Sequence, residues 1–417
     1  MNLIEEFVGN VLEELTGQRD KGWNLIVMRK PTEKISFGDF SFHTDIRCWR
    51  EFGAPGKCEK TPTDIFTHLG IDFDVFSRDL IIKSHKEEWN LPIERMEMNK
   101  SRCIIFLDRK ESFRKVISHV LNPKPELKQV IAKKTVFLEA LTESSQTLTD
   151  FRGILLRKIL INLIQRSRRY TQVSQRQDAI MACSIVMKSS QEIPPGDVKI
   201  LPGTVLDSVT RRKSPVTSYP DYLEQKVKEC ELVARHRYGY RGPGDAEDQK
   251  KFENMGRASL TLELMEAKHS SPVACGESAS RSGAFILYNS ARMETLLETF
   301  QRRNFPETLE LSEVDFSLLA EPEEWILLIN FIASEEWIVE KSLGELEKER
   351  ISPHLIVSEL HSLVNVFSAY YRRVQILTDN RHQLLPTVHA RILLLRALRK
   401  VFNRILQLLE IDPVAKM

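Results

Sequence analysis

The stretch ARILLLRALRKVFNRILQLLEID, Ala390 to Asp412, decides how the C-terminal part of the chain is read. At about 100° per residue, Leu394, Ala397, Leu398, Val401, Phe402, Ile405, Leu408 and Leu409 share one broad arc, while Arg396, Arg399, Lys400, Asn403, Arg404 and Gln407 gather on the other. A helix divided in this way either lies on a membrane or buries its leucines in protein and offers its cations to an anionic partner. The preceding sequence favours burial. EEWILLINFIASEEWIVEKSLGEL and ISPHLIVSELHSLVNVFSAYYRRVQIL supply further helices with apolar faces, joined by short loops. In the second, Leu355, Leu360, Leu363, Val364, Phe367, Tyr371 and Val374 follow helical spacing, which puts Tyr370, Arg372 and Arg373 beside or opposite that face. Ser352 and Pro353 read as its N-cap and first helical position.

A chain of 417 residues exceeds what one core usually serves, so two or three domains are expected. Sixty Lys and Arg against 58 Asp and Glu leave a net charge of +2, so attraction to a polyanion has to come from local patches. In MNLIEEFVGNVLEELTGQ, Leu3, Ile4, Phe7, Val8, Val11, Leu12 and Leu15 recur at helical spacing, and acidic residues stand where a secretory leader carries basic ones. No window approaches ~18 uninterrupted apolar residues, the length of a membrane span. The six cysteines lack short paired spacing, which fits a reduced compartment: the cytosol, with the nucleus as the alternative.

Three parts are expected: 1–125 with α/β character, 126–282 helical and loop-rich, and 283–417 helical throughout. NLIVMR and RCIIFLD read as short strands, and ESFRKVISHVL as a helix. From Glu126 to about Tyr170 the pattern is helical, and the Gly, Pro and charge of IPPGDVKILPG, RRKSP and RYGYRGPGDAEDQKK then mark exposed connections. The glycines of the last segment make a flexible loop, to which Arg235, Arg237, Tyr238, Tyr240 and Arg241 add a sharper reading as RNA contacts. His43, Cys48, Cys58 and His68 are spaced unlike any standard zinc pattern and are read as unconnected, so no metal is expected. Gly-x-x-x-x-Gly-Lys-Ser/Thr, Gly-x-Gly-x-x-Gly and Gly-x-Ser-x-Gly are all absent.

The ordered blocks LYNSARMETLLETF, LSEVDFSLLAEPEEWILLINFIASEEWIVEKSL, SPHLIVSELHSLVNVFSAYYRRVQIL and ARILLLRALRKVFNRILQLLEIDPVAKM resemble the DALR anticodon-binding domain that closes arginyl-tRNA synthetases. MGRASLTLELMEAKHSSPV, ahead of GAFILYNSAR, is similar to the end of the synthetase core. The resemblance implies α+β N-terminal and middle parts followed by an all-α helical-bundle anticodon-binding (DALR) domain. Catalysis is not implied: a class I synthetase needs a His-Ile-Gly-His type motif and a Lys-Met-Ser-Lys-Ser type loop to handle ATP. HLGID at His68 lacks the second histidine, and RRKSP at Arg211 keeps only a basic run and a serine. What the resemblance implies instead is a protein that binds arginine tRNAs and delivers them to a separate methyltransferase that makes 3-methylcytidine in the anticodon loop. No glycine-rich S-adenosylmethionine loop is present, so the methyl donor belongs to that partner and no cofactor is expected.

An anticodon loop needs cations for its phosphates and flat side chains for its unstacked bases. The candidates for phosphate contact are Arg372, Arg373, Arg396, Arg399, Lys400 and Arg404, and for stacking Tyr370 or Tyr371; Met417 is carried over by resemblance as a loop contact. In RGILLRKILINLIQRSRRY, where Arg152 opens a basic run, Arg157, Lys158, Arg166, Arg168 and Arg169 either grip the tRNA body or form a solvated helix face. The first hundred or so residues are left for partner binding.

Overall fold

The computed structural model describes residues 2–19, 24–30, 33, 37–52, 64–123, 133–141, 147–188, 190–212, 218–237, 246–276, 281–303, 310–378 and 383–413. Cys58, Tyr238, Tyr240, Arg241 and Met417 lie outside them. The chain forms two compact units, one from Met1–Glu126, Glu307–Trp337 and Thr378–Ala397, the other from Leu127–Pro306, Ile338–Leu377 and Leu398–Met417.

The first unit opens with α1 (Leu3–Thr16), capped where the Asn2 side chain accepts from the Glu5 amide. All seven apolar residues expected on its inner face are buried. Next come β1 (Val27–Met28), β2 (Phe40–His43), α2 (Ile65–Leu69), α3 (Phe73–Lys86), β3 (Ile93–Asn99), β4 (Arg102–Leu107) and α4 (Arg109–Leu121). The strands make an antiparallel sheet in the order β1-β2-β4-β3. Pairing of Phe40 with Ile105 and Phe42 with Cys103 puts these four on one face, and Phe7 of α1 reaches that face 4.4 Å from Phe40. RCIIFLD is thus β4, stopped at Asp108, whose side chain caps α4 by accepting from the Glu111 amide at 3.0 Å. NLIVMR yields only the two residues of β1.

The second unit contains β5 (Lys134–Leu138), α5 (Leu148–Arg166), β6 (Tyr170–Gln172), β7 (Met181–Ile185), β8 (Val198–Ile200), β9 (Val205–Asp207), α6 (Tyr219–Arg237), α7 (Ala246–Met265), β10 (Val273–Cys275) and α8 (Arg281–Arg302). β6-β5-β7-β8 is a parallel sheet, and β9 pairs in parallel with β10. The helical expectation for 126–170 holds for α5 alone: strands β5 and β6 flank it, and the region read as exposed connections holds β7, β8 and β9. Short parallel strands lack the alternation that marks a half-exposed strand, so they leave little trace in sequence.

Beyond α8 the chain is helical: α9 (Pro322–Ile326), a π-helical turn (Leu327–Ile332), α10 (Glu335–Leu343), α11 (His354–Arg373) and α12 (Leu385–Leu408). Every residue of the expected α12 arc is buried, as are Ile392, Leu393, Leu395 and Leu406, so the apolar face is wider than the wheel indicates. α11 starts at His354, after a Pro353 already in helical geometry, and the Ser352 side chain does not cap it. Within the first unit, Trp325 Nε1 and the Leu107 amide donate to the Asp39 carboxylate at 2.7 and 3.0 Å, and Asn330 donates to the Arg29 carbonyl at 2.8 Å. α9 and the π turn are thereby fastened to the N-terminal sheet.

Candidate nucleic-acid interface

YNSAR opens the helical C-terminal part. On α8, Tyr288 and Arg292 are four residues apart and share one face, and Arg292 Nη2 donates to the Tyr288 hydroxyl at 2.8 Å. The guanidinium carbon lies 4.4 Å from the Tyr288 ring centroid and 4.3 Å from that of Tyr371, at the end of α11. The cation therefore lies over both tyrosine rings, an attraction of about 0.5–2 kcal/mol per ring. Among the described residues no carboxylate pairs with Arg292, so its charge is uncompensated and its other N–H groups keep their capacity for a ligand.

These side chains line an open pocket of about 470 Å³, together with Thr295, Thr299 and Arg303 of α8 and Gln375 after α11. Thr295 and Thr299 donate their hydroxyls to the carbonyls of Ala291 (2.9 Å) and Thr295 (2.6 Å) along their own helix. Their oxygens face a ligand as acceptors. The pocket thus combines an aromatic surface, a flat cation and hydroxyl acceptors, the set that holds an unstacked base beside its phosphate.

Tyr370 is fully buried and Tyr371 is 37% exposed, so the stacking role open to either tyrosine in sequence falls to Tyr371. This reverses the expectation from helical spacing, which places Tyr371 in the core and Tyr370 outside. The core face instead continues from Phe367 to Tyr370 and Val374, a step of three and then four. Arg372 and Arg373 are exposed at the end of α11, where Arg372 Nε donates back to the Ser368 carbonyl at 3.2 Å. Arg396, Lys400 and Arg404 are half-buried and already engaged within the protein. Arg399 donates to both carboxylate oxygens of Glu294, each at 2.7 Å, so its charge is met inside the fold.

The basic run on α5 is largely spent on structure. Arg152 is buried, bonds the carbonyls of Gly203, Ser271 and Lys268 (2.7, 2.7 and 3.1 Å), and has its pKa lowered by burial to about 10. Arg157 donates to the Glu139 and Leu138 carbonyls (2.8 and 3.3 Å), and Arg169 to the Glu340 carboxylate and carbonyl (2.7 and 2.8 Å). The Arg168 amide also binds Glu340, at 2.5 Å, and both Arg168 and Arg169 fall past the end of α5. Lys158 and Arg166 are exposed. Sequence reasoning misses Tyr288 and Arg292 as contacts, although both stand in YNSAR and their i, i+4 spacing is the signal that points to them.

Residues 286–417, which include this pocket, match the family model of the DALR anticodon binding domain. This part of the chain is a DALR domain. Over about half its length the chain is similar to DALR anticodon-binding domain-containing protein 3: the Danio rerio protein is 29% identical over 47% of this chain and 38% of its own length. The Mus musculus protein is 29% identical over 39% and 33%, so the matched stretch spans under two-fifths of these relatives. The arginine–tRNA ligase of Borreliella burgdorferi is 29% identical over 33% of this chain and 21% of its own. In fold the similarity is broader, because Thermus thermophilus arginyl-tRNA synthetase superposes with a TM-score of 0.60 over 99% of both chains, at 11% identity. α+β sheets followed by a helical DALR domain are thus the architecture of an arginyl-tRNA synthetase. No helix among the described residues is long and apolar enough to cross a membrane.

Proposed function

We propose that this protein is a non-catalytic adaptor that binds arginine tRNAs through its DALR domain and presents their anticodon loop to a partner methyltransferase for 3-methylcytidine formation. The observation that carries the reading is the Tyr288–Arg292–Tyr371 cluster beside an open pocket within that domain. A base enters the pocket and stacks on Tyr371, Arg292 gives its edge to the base or the adjoining phosphate, and Arg372 and Arg373 take neighbouring phosphates. Kinship with arginine–tRNA ligases supports arginine tRNA as the ligand. The non-catalytic part is supported by HLGID and RRKSP, which lack the synthetase's ATP-handling groups, and the partner by the absence of a glycine-rich S-adenosylmethionine loop.

Gel shifts at fixed salt with arginine tRNA and a panel of other tRNAs test the ligand. Tighter binding of arginine tRNA is expected; equal, feeble binding to all would overturn the reading. ATP–pyrophosphate exchange with arginine should be undetectable, and measurable exchange would make the protein an enzyme. Affinity purification of the tagged protein from cells should recover arginine tRNA together with a methyltransferase, and recovery of the tRNA alone would remove the delivery step.

A further inference from the structure

We infer that the crevice in which a parallel sheet of this kind holds a nucleotide is closed by the chain's own side chains, so that the synthetase-like fold takes up no ATP. In the order β6-β5-β7-β8, the chain leaves β5 through α5 toward one edge and continues from β7 toward the other, so β5 and β7 flank the topological switch point. Ligands of open parallel sheets bind there, beyond the carboxyl ends of the strands. An arginyl-tRNA synthetase fold implies ATP for such a crevice, and the residues present do not fit it.

Met187, two residues past β7, lays its thioether on the backbone of Gly153 in α5: a methyl group added to Gly153 would stand 2.1 Å from Met187 Cε and 2.8 Å from Sδ. Helix and strand end are therefore in contact where a ligand would separate them. Arg157 covers the exit of β5 through its bonds to the Leu138 and Glu139 carbonyls. Arg152, on the same helix, is buried and commits three of its five N–H groups to the carbonyls of Gly203, Ser271 and Lys268. A carboxylate is added as well, since Glu139 pairs with Arg176 at 3.2 Å, and Arg176 also pairs with the buried Asp197, which accepts from Ser184 at 2.8 Å. Among the described residues here, Arg152, Arg157 and Arg176 are engaged within the protein, and Glu139 and Asp197 are held by Arg176.

Closure of the crevice depends on the sheet and not on tRNA binding, so the two proposals fail separately. Calorimetric titration of the full chain with Mg²⁺·ATP, on protein that passes the tRNA gel shift, should give no saturable heat up to millimolar ligand. The melting temperature should also stay constant, whereas a ligand at a hundred times its Kd would add about 2.7 kcal/mol. Saturable ATP binding with a sub-millimolar Kd would overturn the inference. A second readout needs no ligand: Met187→Ala should lower the melting temperature by several degrees because it removes the thioether packed on α5, whereas an unchanged melt would show that the thioether does not close the crevice.

Discussion

Replacing Tyr371 with alanine should separate RNA binding from folding. The ring is 37% exposed and its described neighbours are Arg292, at 4.3 Å, and Phe367, with centroids 6.3 Å apart. Its removal should therefore cost the fold about 1 kcal/mol, the scale of one exposed cation–π interaction with modest packing. The complex with a base stacked on it would weaken by about 1–3 kcal/mol, a roughly 5- to 150-fold rise in Kd for arginine tRNA. Tyr371→Phe keeps the ring and should bind within about twofold of the parent. Tyr370→Ala, one residue earlier but fully buried, should instead reduce stability by on the order of 3–5 kcal/mol. Fluorescence anisotropy with labelled tRNA at two salt concentrations, beside urea melts, reads both quantities. The slope of log Kd against log salt should barely change for Tyr371→Ala and should fall by about 0.7 for each single-strand phosphate that Arg372→Ala or Arg373→Ala no longer neutralises. Parental affinity for Tyr371→Ala, or a weakening matched by its drop in stability, would refute the stacking role.

Arg152→Met leaves the carbonyls of Gly203, Lys268 and Ser271 without their donor and should destabilise the chain by on the order of 3 kcal/mol or more, read as a lower urea midpoint. Glu359 on α11 has its pKa raised by burial from 4.5 to about 7, against the pull of Lys341. The stability tied to its protonated form is full below about 4.5 and lost as the pH rises through 7, so Glu359→Gln should outlast the parent at pH 8, by up to about 3 kcal/mol, and match it only below about pH 4.5. Arg399→Glu should cost about 1 kcal/mol by facing Glu294 with a like charge. Pairing it with Glu294→Arg should restore the melt and keep tRNA affinity within about twofold, since the charge of Arg399 is already answered inside the fold.

What is legible in the sequence follows the range of the forces involved. The inner faces of α1 and α12 are readable because helical periodicity is local, and all the residues named for them are buried. β5 to β8 are not, because strands of three to five residues stabilised by distant neighbours carry too short a signal. The arginines divide in the same way. Nothing within a turn of Arg152, Arg157, Arg169 or Arg399 announces that its guanidinium will be met by a carbonyl or by Glu340 or Glu294. The pocket is half visible: Tyr288 and Arg292 sit at helical spacing, while Tyr371 joins them only through tertiary packing.

The fastening of Trp325 and Asn330 to the N-terminal sheet also sets a timetable. The unit that begins at Met1 is complete only when residue 397 has been made, about 270 residues after Glu126. At ~5–20 residues per second, that is a wait on the order of 15–50 s on the ribosome. Until Trp325 has been made, Asp39 lacks its indole donor and Phe113 lacks the rings of Phe316 and Trp325. The nascent sheet is therefore a natural client for chaperones, and a stop codon anywhere before residue 397 would release a product whose first unit cannot close.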